Sequence, residues 1–139
     1  MKNMKRYHDV QVLTSDGVRI IIMLCEGVMR FNKLAEKAIR EGDVKEKNNY
    51  INRSFAIISE LSNSLNMEEG GEIAMTLARL YDFSLNQLTL ANLNNDPAAI
   101  ETVTRVIGEL KAGWEAVAKD RTRREKEHDA TNGATSYGA

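Results

Sequence analysis

The chain is poor in the residues that staple or punctuate small folds. Its one cysteine among 139 residues, Cys25, cannot close an intramolecular disulfide, which excludes a disulfide scaffold. Its two histidines, His8 and His128, are too few for a metal cage built on imidazoles. One proline and 6% aromatic residues argue against an all-β fold strung on many turns. The longest unbroken apolar run, Ile20 to Cys25, falls far short of the roughly 20 residues that span a membrane. The start, Met1 to Asp9, is polar and basic with no apolar stretch behind it, so a secretory signal is not expected. Charge of one sign is also missing. Lys and Arg number 19 against 20 Asp and Glu, a net −1, so the chain as a whole attracts neither nucleic acid nor an anionic membrane. What these absences leave is a cytoplasmic protein of one domain, because 139 residues are too few for two comfortable ones.

Helical patterning fills that frame. Thr14, Ser15 and Asp16 can each accept from free backbone N–H groups at a helix start. Gly42 suits a left-handed stop, and together they predict a first helix over Ser15 to Arg40. Asp43 caps a second, Val44 to Met67. Gly70 and Gly71 interrupt the chain, and a third helix runs from Glu72 to Leu93. Asp96 as cap with Pro97 in the first turn, where its missing N–H is no loss, opens a fourth that ends near Arg124. Residues 1–14 show no sustained period and read as a mobile N-terminal arm. Residues 125–139 are charged, then small and polar. They lack the apolar surface to offset ordering entropy and read as a disordered tail.

Apolar residues recur at helical spacing in each segment. The first helix has Ile20, Met23, Leu24, Gly27, Phe31, Leu34, Ala35 and Ala38; the second has Val44, Ile51, Phe55, Ile58 and Leu65. The third has Ile73, Leu77, Leu80, Tyr81, Ser84, Leu88 and Ala91; the fourth has Ile100, Val103, Ile107, Leu110, Trp114 and Val117. Short connections between such helices favour antiparallel neighbours. The expected fold is an all-α, antiparallel up-down four-helix bundle over residues 15–124.

The first helix is more apolar than one seam requires. Val18, Ile22, Cys25 and Met29 recur at helical spacing on the side opposite the Ile20–Phe31 stripe. Met75, Phe83, Leu90 and Leu93 form a weaker second stripe on the third helix, and Tyr50, Ile57 and Leu61 widen the arc of the second. Such a face is either covered by the arm or loops, or it is a groove where an amphipathic helix of a partner lies. Both hold if the arm covers the groove until the partner arrives. A different use is dimerisation through the second face of the first helix, in a structural or regulatory bundle.

Catalytic chemistry is hard to find. The pair Glu125 and His128 has the spacing used in di-iron bundles, but those need a second such pair and two more inward carboxylates. Cys25 lies in an apolar stretch that disfavours its thiolate. Gly70–Gly71 lacks the Lys-Ser/Thr of a phosphate loop. The basic cluster Lys119, Arg121, Arg123, Arg124 and Lys126 is broken by Asp120 and Glu125 and reads as a solvated helix end. No metal, no cofactor and no enzymatic activity are expected. The residues alone describe a helical binding module without naming its ligand.

An ordered set of residues resembles one family. Tyr7, then Val12, Thr14, Ser15, Gly17, Ile20, Met23, Leu24, Cys25 and Gly27 follow the family's opening pattern. Gly42-Asp43, Ile57-Ile58 with Glu60-Leu61, Leu80-Tyr81-Asp82-Phe83, Ala91-Asn92, Asn95-Asp96 and Trp114 continue it. Over about residues 7 to 118 the sequence resembles the FliS family of flagellin export chaperones. Gly17 and Cys25 depart from it, standing where the family usually has proline and tyrosine. The resemblance implies a cytoplasmic chaperone, monomeric or weakly dimeric. It would bind the disordered C-terminal segment of flagellin in apolar grooves, prevent premature polymerisation, and meet the flagellar export gate as a further partner. It also implies an arm that packs on the bundle and is displaced by flagellin, anchored by Tyr7. The partner-binding set expected on this basis is Tyr7, Val10 and Val12 of the arm with Val18, Ile22, Cys25 and Met29 of the first helix.

Overall fold

The computed structural model describes the backbone of residues 15–137 and side chains over residues 16–132. Four helices and no strands occur among the described residues: α1 (Ser15–Glu41), α2 (Val44–Asn63), α3 (Met67–Asn94) and α4 (Pro97–Tyr137). Each helix packs on the next, and α4 returns to α1. Lys47 at the start of α2 reaches Asn92 and Asn95 at the end of α3, and Asn32 of α1 reaches Thr104 near the start of α4. These pairings make neighbours antiparallel, in the up-down order expected.

The caps explain most boundaries. Asp43 accepts from the Glu46 N–H at 3.1 Å, and Asp96 accepts from the Ala98 N–H at 3.0 Å, with Pro97 one residue inside. Gly42 has φ 71°, the left-handed stop that lets the chain reverse after α1. The end of α2 differs from expectation. It stops at Asn63 rather than Met67, and Asn66 caps a new turn by accepting from the Glu69 N–H at 3.0 Å. That turn joins the long part of α3 through Gly71, whose φ of 52° and ψ of −131° break the helix. A side chain would be strained there.

The end of α4 also differs from the expected boundary near Arg124: the helix continues to Tyr137. The reason is local: Asp120 pairs with Arg123 at 2.9 Å and Arg124 at 3.1 Å, and no proline or glycine intervenes before Gly133. Pairs at i,i+3 and i,i+4 support a helix without tertiary contacts. From Thr122 to Asn132 every described side chain is exposed, so this extension has no buried face. The expected mobile arm, residues 1–14, lies outside the described residues.

The core follows a stricter period than the apolar stripes suggested. Its lines are Val18, Ile21, Cys25, Val28, Asn32 and Ala35 on α1, and Lys47, Ile51, Ser54, Ile58 and Leu61 on α2, with Leu65 just past its end. On α3 they are Ala74, Leu77, Tyr81, Ser84, Leu88 and Ala91. The steps alternate between three and four residues, the heptad register of a bundle seam. Several of its members are polar, so selecting apolar residues alone missed it. Ile20, Met23, Val44, Phe55, Ile73 and Val117, all expected inside, are exposed instead, Met23 to 64% and Ile73 to 71%.

Three of the buried polar residues, Asn32, Lys47 and Ser54, bond across helices. Asn32 donates through Nδ2 to Thr104 Oγ1 at 3.0 Å and accepts from Ser54 Oγ. Thr104 Oγ1 donates to the Ile100 carbonyl at 3.1 Å. One asparagine thereby ties α1 to both α2 and α4. A polar seam residue with satisfied bonds selects one register over its slipped alternatives.

Candidate binding surface

Most of the large apolar side chains that stay exposed among the described residues lie on α2 and α3. With the α3 core line turned inward, Met75, Phe83, Leu90 and Leu93 fall on the opposite side, and all four are exposed, Leu93 to 74%. This is the second stripe that the sequence assigned to the third helix. Beside it runs a groove of about 470 Å³ between α2 and α3. Ile51 and Leu88 form its floor, Val44, Phe55 and Leu93 its apolar walls, and Asn48, Asn52, Thr89 and Asn92 its polar rim. Leu93 belongs to both features, so groove and stripe meet.

Lys47 holds the end of this groove in place. Its ammonium is almost buried and donates to the Asn92 carbonyl at 3.1 Å and to Asn95 Oδ1 at 2.7 Å. Asn95 itself takes the left-handed conformation, φ 50°. A cation at the C-terminal end of a helix satisfies carbonyls that have no partner within the helix and complements its dipole.

The residues expected on the second face of helix 1 are placed differently. Val18 and Cys25 are each 1% exposed, and Ile22 and Met29 are half-buried. Met29 faces Gly108 of α4, and Cys25 lies within electrostatic reach of Lys111. Burial pushes the Cys25 thiol up to about 11, although Lys111 pulls it down. This stripe lies on the side of α1 that faces α4, with Val18 and Cys25 inside the core and Ile22 and Met29 partly exposed at its edge. The cause is topology. A helix in a square bundle touches two neighbours and the centre, so its buried arc is wide. Tyr7, Val10 and Val12 lie outside the described residues, and their meeting with helix 1 is not part of the geometry.

Sequence reasoning missed Val44 and Phe55 as surface residues. The available signal was register, because Phe55 directly follows the seam residue Ser54 and must turn away from the centre.

The remaining chemistry is sparse. Among the described residues, no three His, Cys, Asp or Glu side chains gather as metal ligands. His128 Nε2 lies 2.9 Å from Asn132 Nδ2. No described helix is long and apolar enough to cross a membrane. One carboxylate is unusual: Glu36 is nearly buried beside Glu101, and Arg40 Nη2 is 3.9 Å from its Oε1. Burial raises its pKa above the ordinary value, the charge of Glu101 adds to the rise, and Arg40 and Lys33 oppose it.

Comparison with known proteins gives the lineage of this four-helix bundle. The family described as flagellar protein FliS matches residues 1–121. The chain belongs to the FliS family. It is similar to the flagellar secretion chaperone FliS of Vibrio cholerae, 34% identical over 109 residues, which cover 78% of this chain and 80% of that protein. The Campylobacter jejuni FliS chaperone is 38% identical over 104 residues, 75% of this chain and 81% of the relative. The flagellar secretion chaperone FliSB of Pseudomonas aeruginosa is 33% identical over 122 residues, 85% of this chain and 97% of the relative. The FliS match ends at residue 121, just before the part of α4 that is exposed on all sides.

Proposed function

We propose that this protein is a cytoplasmic, non-enzymatic export chaperone for flagellin. It holds the C-terminal segment of its client on the α2–α3 groove and the adjoining α3 stripe. The relatives are named flagellar secretion chaperones, and a secretion chaperone needs a surface that a non-native client recognises. The observation that carries the reading is the set of exposed apolar side chains that meets at Leu93: Val44 and Phe55 in the groove, and Leu90, Phe83 and Met75 along α3. An amphipathic segment folding onto this face would hide the same apolar side chains that drive polymerisation. Ordering a disordered client costs entropy, so affinity comes from an extended contact and not from one deep pocket.

This reading moves the client surface from helix 1 to helices α2 and α3. The arm residues Tyr7, Val10 and Val12 stay in the proposal as a cover that the client displaces, and the export gate stays as the next partner. The rival reading, a regulatory bundle dimerising through the second face of helix 1, would require opening the seam around Val18 and Cys25.

Calorimetric titration of the full chain with the flagellin C-terminal segment tests the proposal. Saturable binding is expected. A Phe83→Asp, Leu90→Asp double variant should weaken it by at least about 2 kcal/mol, because burying a carboxylate without a partner is costly. Its helical circular dichroism should match the parent's, since both positions are exposed. No binding by the parent chain would remove the client assignment, and full affinity in the double variant would remove the surface.

A further inference from the structure

A second surface lies on the other flank of α2, along its outer seam with α1. Ile20, Met23 and Arg30 are exposed there, on one line of α1 together with Gly27, spaced by three, four and three residues. At 1.5 Å per residue, Met23 and Arg30 are about 10 Å apart along the helix. Gly27 has no side chain, and Ile57 of α2 lies where its Cβ would make ordinary contact, 3.4 Å away. The two helices therefore form a low, apolar floor between Met23 and Arg30.

One end of this floor carries an unusual concentration of positive charge. Arg30 of α1 and Arg53 of α2 each hold their guanidinium 5.6 Å from the centroid of the same ring, Phe31. Tyr50 stacks on that ring at 6.2 Å with 24° between planes. Arg53 Nε donates to Asn49 Oδ1 at 3.1 Å, which orients the fork and leaves its terminal nitrogens for another acceptor. Among the described residues, neither guanidinium pairs with a carboxylate, whereas Lys37, Arg40, Arg123 and Arg124 each do. The nearby Glu46 is turned to the Tyr50 hydroxyl. Holding two cations beside one ring costs mutual repulsion that a bound anion would relieve.

We infer that the α1–α2 outer seam is a second docking surface, for an apolar segment of a partner protein that carries carboxylates. Arg30 and Arg53 would take the carboxylates in bidentate fashion, and Met23 and Ile20 would take the apolar side chains. A planar fork stacked on an aromatic ring is suited to a carboxylate in a way that a flexible ammonium is not. Methionine at an exposed position adapts to varied apolar shapes. The surface is separate from the α2–α3 groove, because α2 presents Tyr50, Arg53 and Ile57 here and Val44, Ile51 and Phe55 there. It can therefore stay free while that groove is filled.

The test is an NMR titration of the nitrogen-15-labelled full chain with a synthetic amphipathic helix of leucine and glutamate. A second peptide has every glutamate replaced by glutamine. The glutamate peptide is expected to shift the Arg30 and Arg53 Nε–Hε signals and the Met23 amide. The glutamine peptide should bind about tenfold more weakly or worse, the range of one lost charge-assisted contact. An Arg30→Gln, Arg53→Gln double variant should show the same loss with unchanged circular dichroism, and so should Arg30→Lys, Arg53→Lys. Leu90→Asp on the other flank should leave these shifts in place. Equal binding of the glutamine peptide, shifts confined to the α2–α3 groove, or full affinity in the lysine variant would each overturn the inference.

Discussion

Two leucines of one groove, Leu88 and Leu93, give the sharpest test of how this bundle divides its apolar surface between itself and a client. Leu88 is 0% exposed and Leu93 is 74% exposed, yet both line the α2–α3 groove. Truncating a fully buried leucine leaves a cavity, so Leu88→Ala should cost about 2–5 kcal/mol of folding stability. Leu93 has little burial to lose. Full burial of a leucine contributes roughly 1.5–3 kcal/mol, so a client covering Leu93 still stands to gain most of that, about 1–2 kcal/mol. Leu93→Ala should therefore weaken the binding of the flagellin segment about five- to thirtyfold while shifting the urea midpoint only slightly. Urea denaturation followed by circular dichroism reads the first quantity, and titration calorimetry reads the second. If Leu93→Ala leaves the isotherm unaltered, or destabilises the fold as much as Leu88→Ala, then exposure in the free chain does not mark the client surface.

Two further outcomes follow from local features. Glu36 binds a proton more readily in the folded chain than an ordinary carboxyl group does, first through burial and then through Glu101. Its contribution to stability is therefore present below the ordinary carboxyl pKa and is lost as pH rises through the folded value. Glu36→Gln should abolish that loss and be more stable than the parent at neutral pH, with the difference shrinking as the pH falls to about 4; equal stability–pH curves would refute this. Gly71 sits at φ 52°, ψ −131°, so Gly71→Ala should destabilise the chain by about 1–3 kcal/mol without lowering affinity per folded molecule, measured by thermal melting beside calorimetry.

The heptad seam shows why some assignments were legible and others inverted. Val18 and Cys25 looked like a spare face because stronger apolar residues, Ile20 and Met23, lay opposite them. Hydrophobicity ranked the two faces one way, and register ranked them the other. Asn32 and Ser54 hold the deciding positions, and a reading that counts only apolar residues passes over them. On α3 the same procedure placed the outward stripe correctly, because its seam, Leu77 through Ala91, is apolar enough to stand out. The extension of α4 is hard to read from patterning for a different reason: it has no buried face, and side-chain pairs such as Asp120 with Arg123 and Arg124 stabilise it instead.

The sequence by itself determined that there are four helices, the stop at Gly42, the start at Asp96–Pro97, the bundle class and the lineage. Those properties rest on capping, backbone conformation and patterning, which act over a few residues. Only the tertiary structure decided which side of α1 faces inward and that Val44 and Phe55 of α2 open a groove beside Leu93 of α3. It also brought Arg30 and Arg53 together on one ring. Each of these depends on which helices are neighbours and on their register, set by packing and by the Asn32–Ser54–Thr104 bonds across three helices, and no periodicity along a single helix contains that information.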